Sequence, residues 1–345
     1  MLFFVGMSGL LWGLGYMMRA SLNARLAMIG VLYLGILLAL AVLPDPHPLR
    51  ITLDGTFGEW LLAGAAAVVI YAYARLVRWL KSRSVVPEEV EAGPFTSTEL
   101  ERYARHIVLR ELGGPGQKRL KDAKVLVIGA GGLGSPALLY MAAAGIGTIG
   151  VIDDDVVDNS NLQRQVIHPD AAIGTPKVFS AKAAMKAQNP AVVVRPYHRR
   201  LTEEMAADLI ADYDLVLDGC DNFETRYLVN RMCAQQGKPL ISGALSQWEG
   251  QVTVFDPAKG APCYQCIFPE KPAAGLAPSC AEAGVLGPLP GVVGSMMAVE
   301  AVKLISRAGT ALRGQMLIYD ALYGETRQIK LSRRADCPVC SDHRK

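Results

Sequence analysis

The sequence predicts an α/β fold: a Rossmann-like, doubly wound mixed sheet with a four-cysteine zinc site, preceded by about three transmembrane helices. Three features support this prediction. An apolar strand runs into a glycine-rich turn and a helix, two C-x-x-C pairs occur, and long uncharged segments lie near the N-terminus. Beyond the linker, strands and helices alternate, as in doubly wound domains. We therefore expect a membrane anchor at 1–83, a linker at 84–97 and an α/β domain at 98–345.

The anchor contains three apolar segments, at about 1–18, 26–43 and 60–79. A helix of such length crosses roughly 30 Å of hydrocarbon. Aromatic residues, Trp60 and Trp79 among them, are expected to lie at the membrane interface in the third segment. A cleaved signal peptide is the weaker alternative, because Met1–Met18 has no basic n-region. A buried helical hairpin of the soluble domain is the stronger one.

Flanking charges predict the orientation of these segments. Basic residues lie between the first two segments and after the third, whereas the loop between the second and third is mainly acidic. By the positive-inside rule the N-terminus lies outside, and the α/β domain lies in the cytoplasm. The sequence thus predicts a multi-pass protein of the inner (cytoplasmic) membrane. With a net charge of +3 and no basic stripe interleaved with aromatics, nucleic acid is not an expected partner.

The glycine-rich turn is the first candidate binding site. Val125–Ile128 is expected to be a buried strand, and Gly129, Gly131 and Gly134 have the spacing of a turn that holds phosphate groups. A second strand, Gly147–Ile152, ends at Asp153, where a carboxylate is placed to bind a ribose hydroxyl. These features predict nucleotide binding. They do not distinguish the dinucleotide cofactor of a dehydrogenase from a nucleotide substrate whose phosphate bond is cleaved.

A polar segment after the second strand favours a triphosphate. It contains Ser160, Asn161, Gln163, Arg164 and Gln165. Arginine is a forked and permanently charged ligand for phosphoryl oxygens, whereas a nicotinamide needs an apolar slot. Lys177 opens the next helix and is a further candidate phosphate ligand. The alternative is a solvated polar loop.

A third strand, Leu215–Leu217, runs into Asp218, Asp221 and Asn222. Carboxylates at the carboxyl edge of a sheet often bind metals or ligands, so Asp221 is a candidate Mg²⁺ ligand. The alternative role for Asp221 is to cap the helix that follows.

Four of the seven cysteines form two pairs, Cys263/Cys266 and Cys337/Cys340. Such pairs together form tetrahedral zinc sites. Redox chemistry is the alternative, but it favours a pair at a strand-to-helix turn, and neither pair is expected at one. Cys220 and Cys233 are expected to be ordinary core or near-core residues.

Several motifs in one order resemble the ThiF/MoeB/HesA family, bacterial relatives of ubiquitin-activating enzymes. They include "RYARHIVL", "GAGGLGSP", "SNLQRQ", "DLVLDGCDN", "CYQC" and "CPVC", and the resemblance covers about residues 97–341. It implies ATP-dependent adenylation of the C-terminal glycine of a small ubiquitin-like sulfur carrier, with Mg²⁺ and release of pyrophosphate. The carrier would be MoaD-like or ThiS-like and end in Gly-Gly. The resemblance is strongest to enzymes that serve molybdopterin synthase in molybdenum cofactor biosynthesis, and weaker to those of thiamine biosynthesis.

The resemblance also implies roles for individual residues. Asp153 would bind the ribose, Asn161, Arg164 and Lys177 the phosphates, and Asp221 the Mg²⁺. Arg105, on a helix predicted from a Thr96–Glu99 capping box, would reach into the neighbouring subunit's site and so implies a homodimer. The full predicted nucleotide-binding set is Gly129, Gly131, Gly132, Gly134, Asp153, Ser160, Asn161, Gln163, Arg164, Lys177, Asp221 and Asn222.

Two further features depart from the common family pattern or vary within it. Cys280 falls in a loop where some relatives carry a catalytic cysteine, and His106 stands where the family usually has glutamine. No rhodanese-like domain follows the zinc cysteines, so a separate sulfur donor is implied. Two other functions stay open at this stage. One is a membrane-anchored NAD-dependent oxidoreductase, and the other is a non-catalytic docking module for a ubiquitin-like protein.

Overall fold

The computed structural model describes residues 2–44, 46–83, 93–271 and 283–341. The chain forms two compact units, Met1–Val90 and Glu91–Lys345. Most of the predicted linker, residues 84–92, lies outside the described residues. The first unit is helical, and its elements are α1 (Leu2–Met17), α2 (Leu22–Val42), α3 (Pro48–Leu53) and α4 (Phe57–Arg83).

Helices form where the three apolar segments were predicted, with α4 longer at both ends. Leu22–Val42 and Phe57–Leu80 are long and apolar enough to cross a membrane, and little of either is buried within the structure. The first apolar helix, Phe3–Met17, is shorter. The existence of apolar helices is therefore confirmed, and their insertion in a membrane stays a prediction.

Trp60 is not at the surface of this unit, contrary to the expectation that it anchors a helix at the membrane interface. Its side chain is 2% exposed. The ring packs edge-on against Phe4 and beside Tyr33, and Nε1 donates a hydrogen bond of 3.0 Å to the Asp54 carbonyl. Trp60 is a core residue because its polar atom finds a backbone partner inside the unit.

The second unit contains one eight-stranded sheet in the order β3-β2-β1-β4-β5-β6-β7-β8. Its strands are β1 (Lys124–Ile128), β2 (Thr148–Ile152), β3 (Val193–Tyr197), β4 (Leu215–Asp218), β5 (Leu240–Leu245), β6 (Glu249–Phe255), β7 (Gln315–Asp320) and β8 (Glu325–Lys330). Its helices are α5 (Ser97–Ile107), α6 (Gly113–Asp122), α7 (Gly134–Ala144), α8 (Lys177–Gln188), α9 (Glu203–Ala211), α10 (Phe223–Gln235), α11 (Tyr264–Ile267) and α12 (Pro288–Ser306).

The first five strands pair in parallel, and the last three pair antiparallel. The predicted mixed, doubly wound sheet is confirmed. The chain extends the sheet outward from β1 to β3 and then returns to the other side of β1 with β4. This reversal creates a crevice at the carboxyl ends of β1 and β4, which is where doubly wound sheets bind ligands.

The helix α12 is also long and apolar, but half of it is buried in this unit. It packs against α7, β5 and β6. Its side chains, such as Leu289, Val293 and Met297, belong to the main hydrophobic core. Its apolar composition therefore reflects burial between a helix and a sheet.

Candidate active site

A cavity of about 850 Å³ opens at the carboxyl edge of the parallel strands. It brings together residues that are far apart in the chain and that were predicted from different motifs. These are Gly129, Gly131, Gly132, Asp153, Arg164, Lys177, Asp221 and Asn222. Arg199 and Arg200, which follow β3, also line it and were missed. Their position directly after a parallel strand is the signal that could have identified them.

The glycine-rich turn joins β1 to α7 as predicted. Gly129 has a φ of +94°, a conformation that L side chains rarely adopt. A Cβ on Gly134 would lie 2.1 Å from the Gly129 carbonyl oxygen, so only glycine allows the helix to begin this close to the strand. A Cβ on Gly131 would lie 3.6 Å from Gln165 Nε2, an ordinary van der Waals contact. The turn lines the cavity at the start of α7, where a helix can bind an anion.

The peptide unit of Ala130 inside this turn is held from both sides. Asp153 Oδ2 accepts a hydrogen bond of 2.7 Å from the Ala130 N–H, and Asp153 Oδ1 accepts one of 2.8 Å from the Asp155 N–H. His168 Nε2 lies 2.8 Å from the Ala130 carbonyl oxygen, and its Nδ1 lies 2.9 Å from Ser180 Oγ. Because a carbonyl only accepts, Nε2 carries a proton, and in the neutral tautomer Nδ1 accepts from the Ser180 hydroxyl.

Burial shifts the pKa of both side chains. Desolvation lowers the pKa of His168, which agrees with the neutral tautomer. Desolvation raises the pKa of Asp153, and the two backbone donors counteract it. His168 was missed because an isolated histidine between apolar residues carries no specific signal. Its contact shows that it holds the glycine turn in place.

Lys177 is a buried cation at the start of α8, as predicted. It is 4% exposed, and Nζ donates a hydrogen bond of 2.7 Å to Asp155 Oδ2. The Asp155 side chain is 67% exposed, so water also reaches this partner. An ammonium group has three hydrogen-bond donors. Burying this charged group has a high free-energy cost unless anionic partners are close. Lys177 is therefore placed to bind a further anion in the cavity.

Arg164 is oriented by the polar segment that precedes it. Its Nη2 donates to Asn161 Oδ1 at 2.7 Å, and its Nη1 donates to the Ser160 carbonyl at 3.2 Å. Arg164 and Gln165 line the cavity, whereas Ser160, Asn161 and Gln163 lie outside its described lining. The predicted direct contacts of those three with nucleotide stay predictions. Their role in this structure is to hold or flank Arg164.

The loop after β4 presents Asp221 to the cavity. Asn222, not Asp221, caps α10: its Oδ1 accepts a hydrogen bond of 2.9 Å from the Thr225 N–H. The alternative that Asp221 is the capping residue is therefore wrong, and its exposed carboxylate stays available for a cation. Cys220 packs partly buried against the core, as expected of a near-core residue, and its thiol also lies 2.8 Å from Asp218 Oδ1 at the cavity. Cys233, by contrast, is a buried core residue as expected.

Arg105 lies apart from the cavity, on the exposed face of α5. The capping box predicted for this helix is present in both directions. His106 Nδ1 lies 3.1 Å from Gln117 Oε1, and Gln117 Nε2 donates to the Ala144 carbonyl at 2.8 Å. Since the amide oxygen accepts, His106 donates and ties α5 to α6. Cys280 lies outside the described residues.

The four paired cysteines meet in one buried cluster. None is more than 5% exposed. Their sulfur atoms lie 3.9 Å apart for Cys263 and Cys266, 3.5 Å for Cys263 and Cys337, and 3.4 Å for Cys266 and Cys340. A tetrahedron with metal–sulfur bonds of about 2.3 Å has edges of roughly 3.8 Å. The thiols therefore fit zinc.

Cys263 is the residue before the short helix α11. The segment 256–262 separates this pair from β6, so the pair is not at a strand-to-helix turn, as expected. Proximity to a helix start alone would permit redox chemistry. The gathering of all four sulfurs within 4.8 Å of one another favours a metal site instead.

Fold and cavity define a nucleotide-binding doubly wound α/β protein with a cysteine cluster. Residues 103–339 match the ThiF family. The chain belongs to this family, which confirms the resemblance seen in the sequence.

Two relatives are similar over most of their own length. The SAMP-activating enzyme E1 of Haloferax volcanii is 48% identical over 246 residues, which cover 71% of this chain and 90% of the relative. The sulfur carrier protein adenylyltransferase of Thermus thermophilus is 49% identical over 252 residues, which cover 72% and 93% respectively.

Solved structures share the fold. PaaA has a TM-score of 0.62 at 22% identity, with 76% of this chain and 82% of that chain covered. E. coli MccB with ATP has a TM-score of 0.58 at 24% identity, with 69% and 74% covered.

Proposed function

We propose that this protein is an ATP-dependent adenylyltransferase that activates the C-terminal glycine of a small ubiquitin-like sulfur carrier. The observation that carries the proposal is the cavity itself. It joins the glycine turn, Asp153, Arg164, Lys177 and Asp221 at one edge of the sheet. The names of the Haloferax and Thermus relatives support the same function and the same kind of partner. The carrier would be MoaD-like or ThiS-like and serve molybdenum cofactor or thiamine biosynthesis.

The reaction joins two anions. The carrier's terminal carboxylate attacks the α-phosphorus of ATP, a P–O bond forms, and the bond to pyrophosphate breaks. The nucleophile is already ionised, so no general base is required. The chemical problem is to bring the carboxylate onto a triphosphate and to stabilise the charge that develops on pyrophosphate. Positioning and fixed positive charge solve it.

The residues of the cavity suit these tasks. Asp153, beside the glycine turn, would accept a hydrogen bond from a ribose hydroxyl, while Arg164 and Lys177 would supply positive charge for phosphoryl oxygens. Asp221 would hold Mg²⁺, which neutralises phosphate charge when bound. We further propose that Arg105 of the partner subunit completes the site in a homodimer, since its own α5 lies apart from the cavity. Sulfur would come from a separate donor.

The cavity argues against the two other functions. Apolar residues such as Leu201 and Phe268 line part of the cavity, but a nicotinamide ring has no use for the cations that line the rest, Arg164, Lys177, Arg199 and Arg200. A docking module that only holds a peptide tail has no need for a buried lysine at the edge of this cavity. Both remain distinguishable outcomes of the test below.

The proposal is tested by isotope exchange between pyrophosphate and ATP, with MoaD-like and ThiS-like carriers ending in Gly-Gly. We expect exchange only when protein, Mg²⁺ and a suitable carrier are all present, because exchange requires reversible formation of the adenylate. Tight NAD(H) binding without exchange would support the oxidoreductase. Carrier binding without exchange would support the docking module.

We also propose that the first unit anchors the adenylyltransferase domain to the cytoplasmic face of the inner membrane. The support is the length and exposed apolar surface of α2 and α4, together with the charges that flank them. A reporter that works only in the cytoplasm should be active when it is fused after Lys345. A reporter that works only in the periplasm should be active when it is placed in the acidic loop between α2 and α4. Activity of the periplasmic reporter after Lys345 would contradict the proposed orientation.

A further inference from the structure

A buried ion pair underlies the loop that carries Asp221. Asp218, at the end of β4, is 1% exposed, and Arg226, in α10, is 7% exposed. Arg226 Nη1 donates to Asp218 Oδ2 at 3.1 Å, and Ser242 Oγ donates to the same oxygen at 3.1 Å. Taking both charges out of water is costly, and a pair of hydrophobic residues of similar volume often stabilises a protein just as much as a buried ion pair. The pair therefore calls for an explanation beyond stability.

The guanidinium reaches three elements at once. Its Nη2 donates to the Cys220 carbonyl at 2.6 Å and to the Gly243 carbonyl at 2.8 Å. Its Nη1 also donates to Ser242 Oγ at 3.1 Å. Arg226 thus connects α10, the loop after β4 and strand β5. Only a planar fork with several donors makes this set of contacts from one side chain.

The other carboxylate oxygen of Asp218 holds the same loop residue from its opposite side. Oδ1 accepts hydrogen bonds from the Cys220 N–H at 3.1 Å and from the Cys220 thiol at 2.8 Å. Cys220 is therefore fixed at its N–H, its side chain and its carbonyl.

Asp221 follows Cys220 directly and precedes Asn222, which is fixed as the cap of α10. It is one residue between two immobilised neighbours, so its backbone has little freedom to move its carboxylate. Mg²⁺ demands near-ideal octahedral geometry with bonds of about 2.0–2.1 Å. A ligand that is displaced by a fraction of this length loses its bond.

We propose that Arg226, acting with Asp218, is a positioning residue that sets the Mg²⁺ affinity of the active site by fixing Asp221. The proposal rests on the proposed function, because it takes Asp221 as the Mg²⁺ ligand. Arg226 contacts the loop and not the reacting atoms. Residues behind metal ligands typically change metal affinity by about 10–100-fold when they are replaced.

The test uses Arg226→Lys in the full-length chain. Arg226→Ala would leave Asp218 as an unpaired buried carboxylate and can fail to fold. Lysine keeps the charge near Asp218, but a single ammonium nitrogen cannot also hold the Cys220 and Gly243 carbonyls in the same geometry. Calorimetric titration of Mg²⁺ in the presence of a non-hydrolysable ATP analogue measures metal affinity directly, without turnover.

Arg313→Lys is the matched control. Arg313 Nε donates to the buried carboxylate of Asp256 at 2.8 Å, and this pair lies outside the cavity lining. We expect Arg226→Lys to lower Mg²⁺ affinity by about 10-fold or more. Half-saturation of exchange should shift to higher Mg²⁺, and saturating Mg²⁺ should restore most of the rate. Arg313→Lys should change thermal stability alone.

Three results overturn parts of this account. Mg²⁺ affinity of Arg226→Lys that equals that of the wild type would refute the positioning role while leaving the proposed function intact. A loss of stability in both variants with no difference in metal affinity would give the pair a purely structural role. Absence of Mg²⁺-dependent nucleotide binding in the wild-type chain would refute the proposed function, and this inference with it.

Discussion

Arg105→Ala is expected to lower carrier-dependent exchange by about 10²-fold or more, the usual effect of removing one electrostatic donor from a transition state. ATP affinity should change much less, because the contact strengthens only as charge builds on the leaving pyrophosphate. The protein should stay folded, since Arg105 lies on the exposed face of α5. Asp221→Ala should depress exchange similarly, by removing the Mg²⁺ ligand.

Mixing the two variants distinguishes a shared site from two separate ones. In a two-fold dimer each site would take Asp221 from one chain and Arg105 from the other. A mixed dimer of Arg105→Ala and Asp221→Ala chains then contains one site with both replacements and one site with neither. Exchange should partly return, up to half of the wild-type activity per mixed dimer.

Arg102→Ala is the matched control for this experiment. Arg102 lies on the same helix, but its guanidinium is hydrogen-bonded within its own chain to the Gln188 carbonyl. We expect it to reduce exchange little. If subunits demonstrably exchange and the mixture stays at the level of either single variant, Arg105 does not act across a dimer interface.

Cys337→Ser is expected to remove the bound zinc and to weaken the α/β domain. Zinc binding to structural thiolate sites releases on the order of 10 kcal/mol in isolated peptides. If zinc contributes only part of that free energy here, about 3 kcal/mol, its loss would lower Tm by roughly 6–12 °C in a domain of this size. The cause is that zinc links the segment after β8 to the segment after β6. Metal analysis and thermal unfolding of the purified protein measure both effects.

Cys233→Ala provides the comparison. Cys233 is a buried thiol in the hydrophobic core and has no place in the cysteine cluster. This variant should keep one zinc per chain even if it loses some stability from the cavity that it creates. Full retention of zinc by Cys337→Ser would contradict the assignment of the four-cysteine site.

Local patterns predicted the parts of the site that depend on backbone geometry. The glycine spacing required a turn between β1 and α7, and the structure contains it with the positive φ at Gly129. Thr96 and Glu99 similarly marked the start of α5 because a capping box is a short-range interaction. In each case the determining contacts lie within a few residues in the chain. Such contacts are visible in a linear sequence.

Contacts between segments that are distant in the chain could not be predicted from the sequence. Arg226 lies eight residues after Asp218 but also binds the Gly243 carbonyl on the next strand. His168 holds Ala130 across 38 positions of sequence. The choice between Asp221 and Asn222 as a helix cap likewise depended on which side chain faced the Thr225 N–H. These outcomes follow from strand order and packing, which set the neighbours of each buried polar group.

The most direct test of the central claim is exchange between labelled pyrophosphate and ATP by the full-length protein with a carrier ending in Gly-Gly. Exchange should be lost when the carrier lacks its final glycine, because the terminal carboxylate is then misplaced. Exchange should also be lost in Lys177→Ala, whose lysine is buried at the cavity, and retained in Lys182→Ala, whose lysine is exposed on the same helix. Exchange that is equal in both lysine variants, or that does not require the carrier's terminal glycine, would contradict the account.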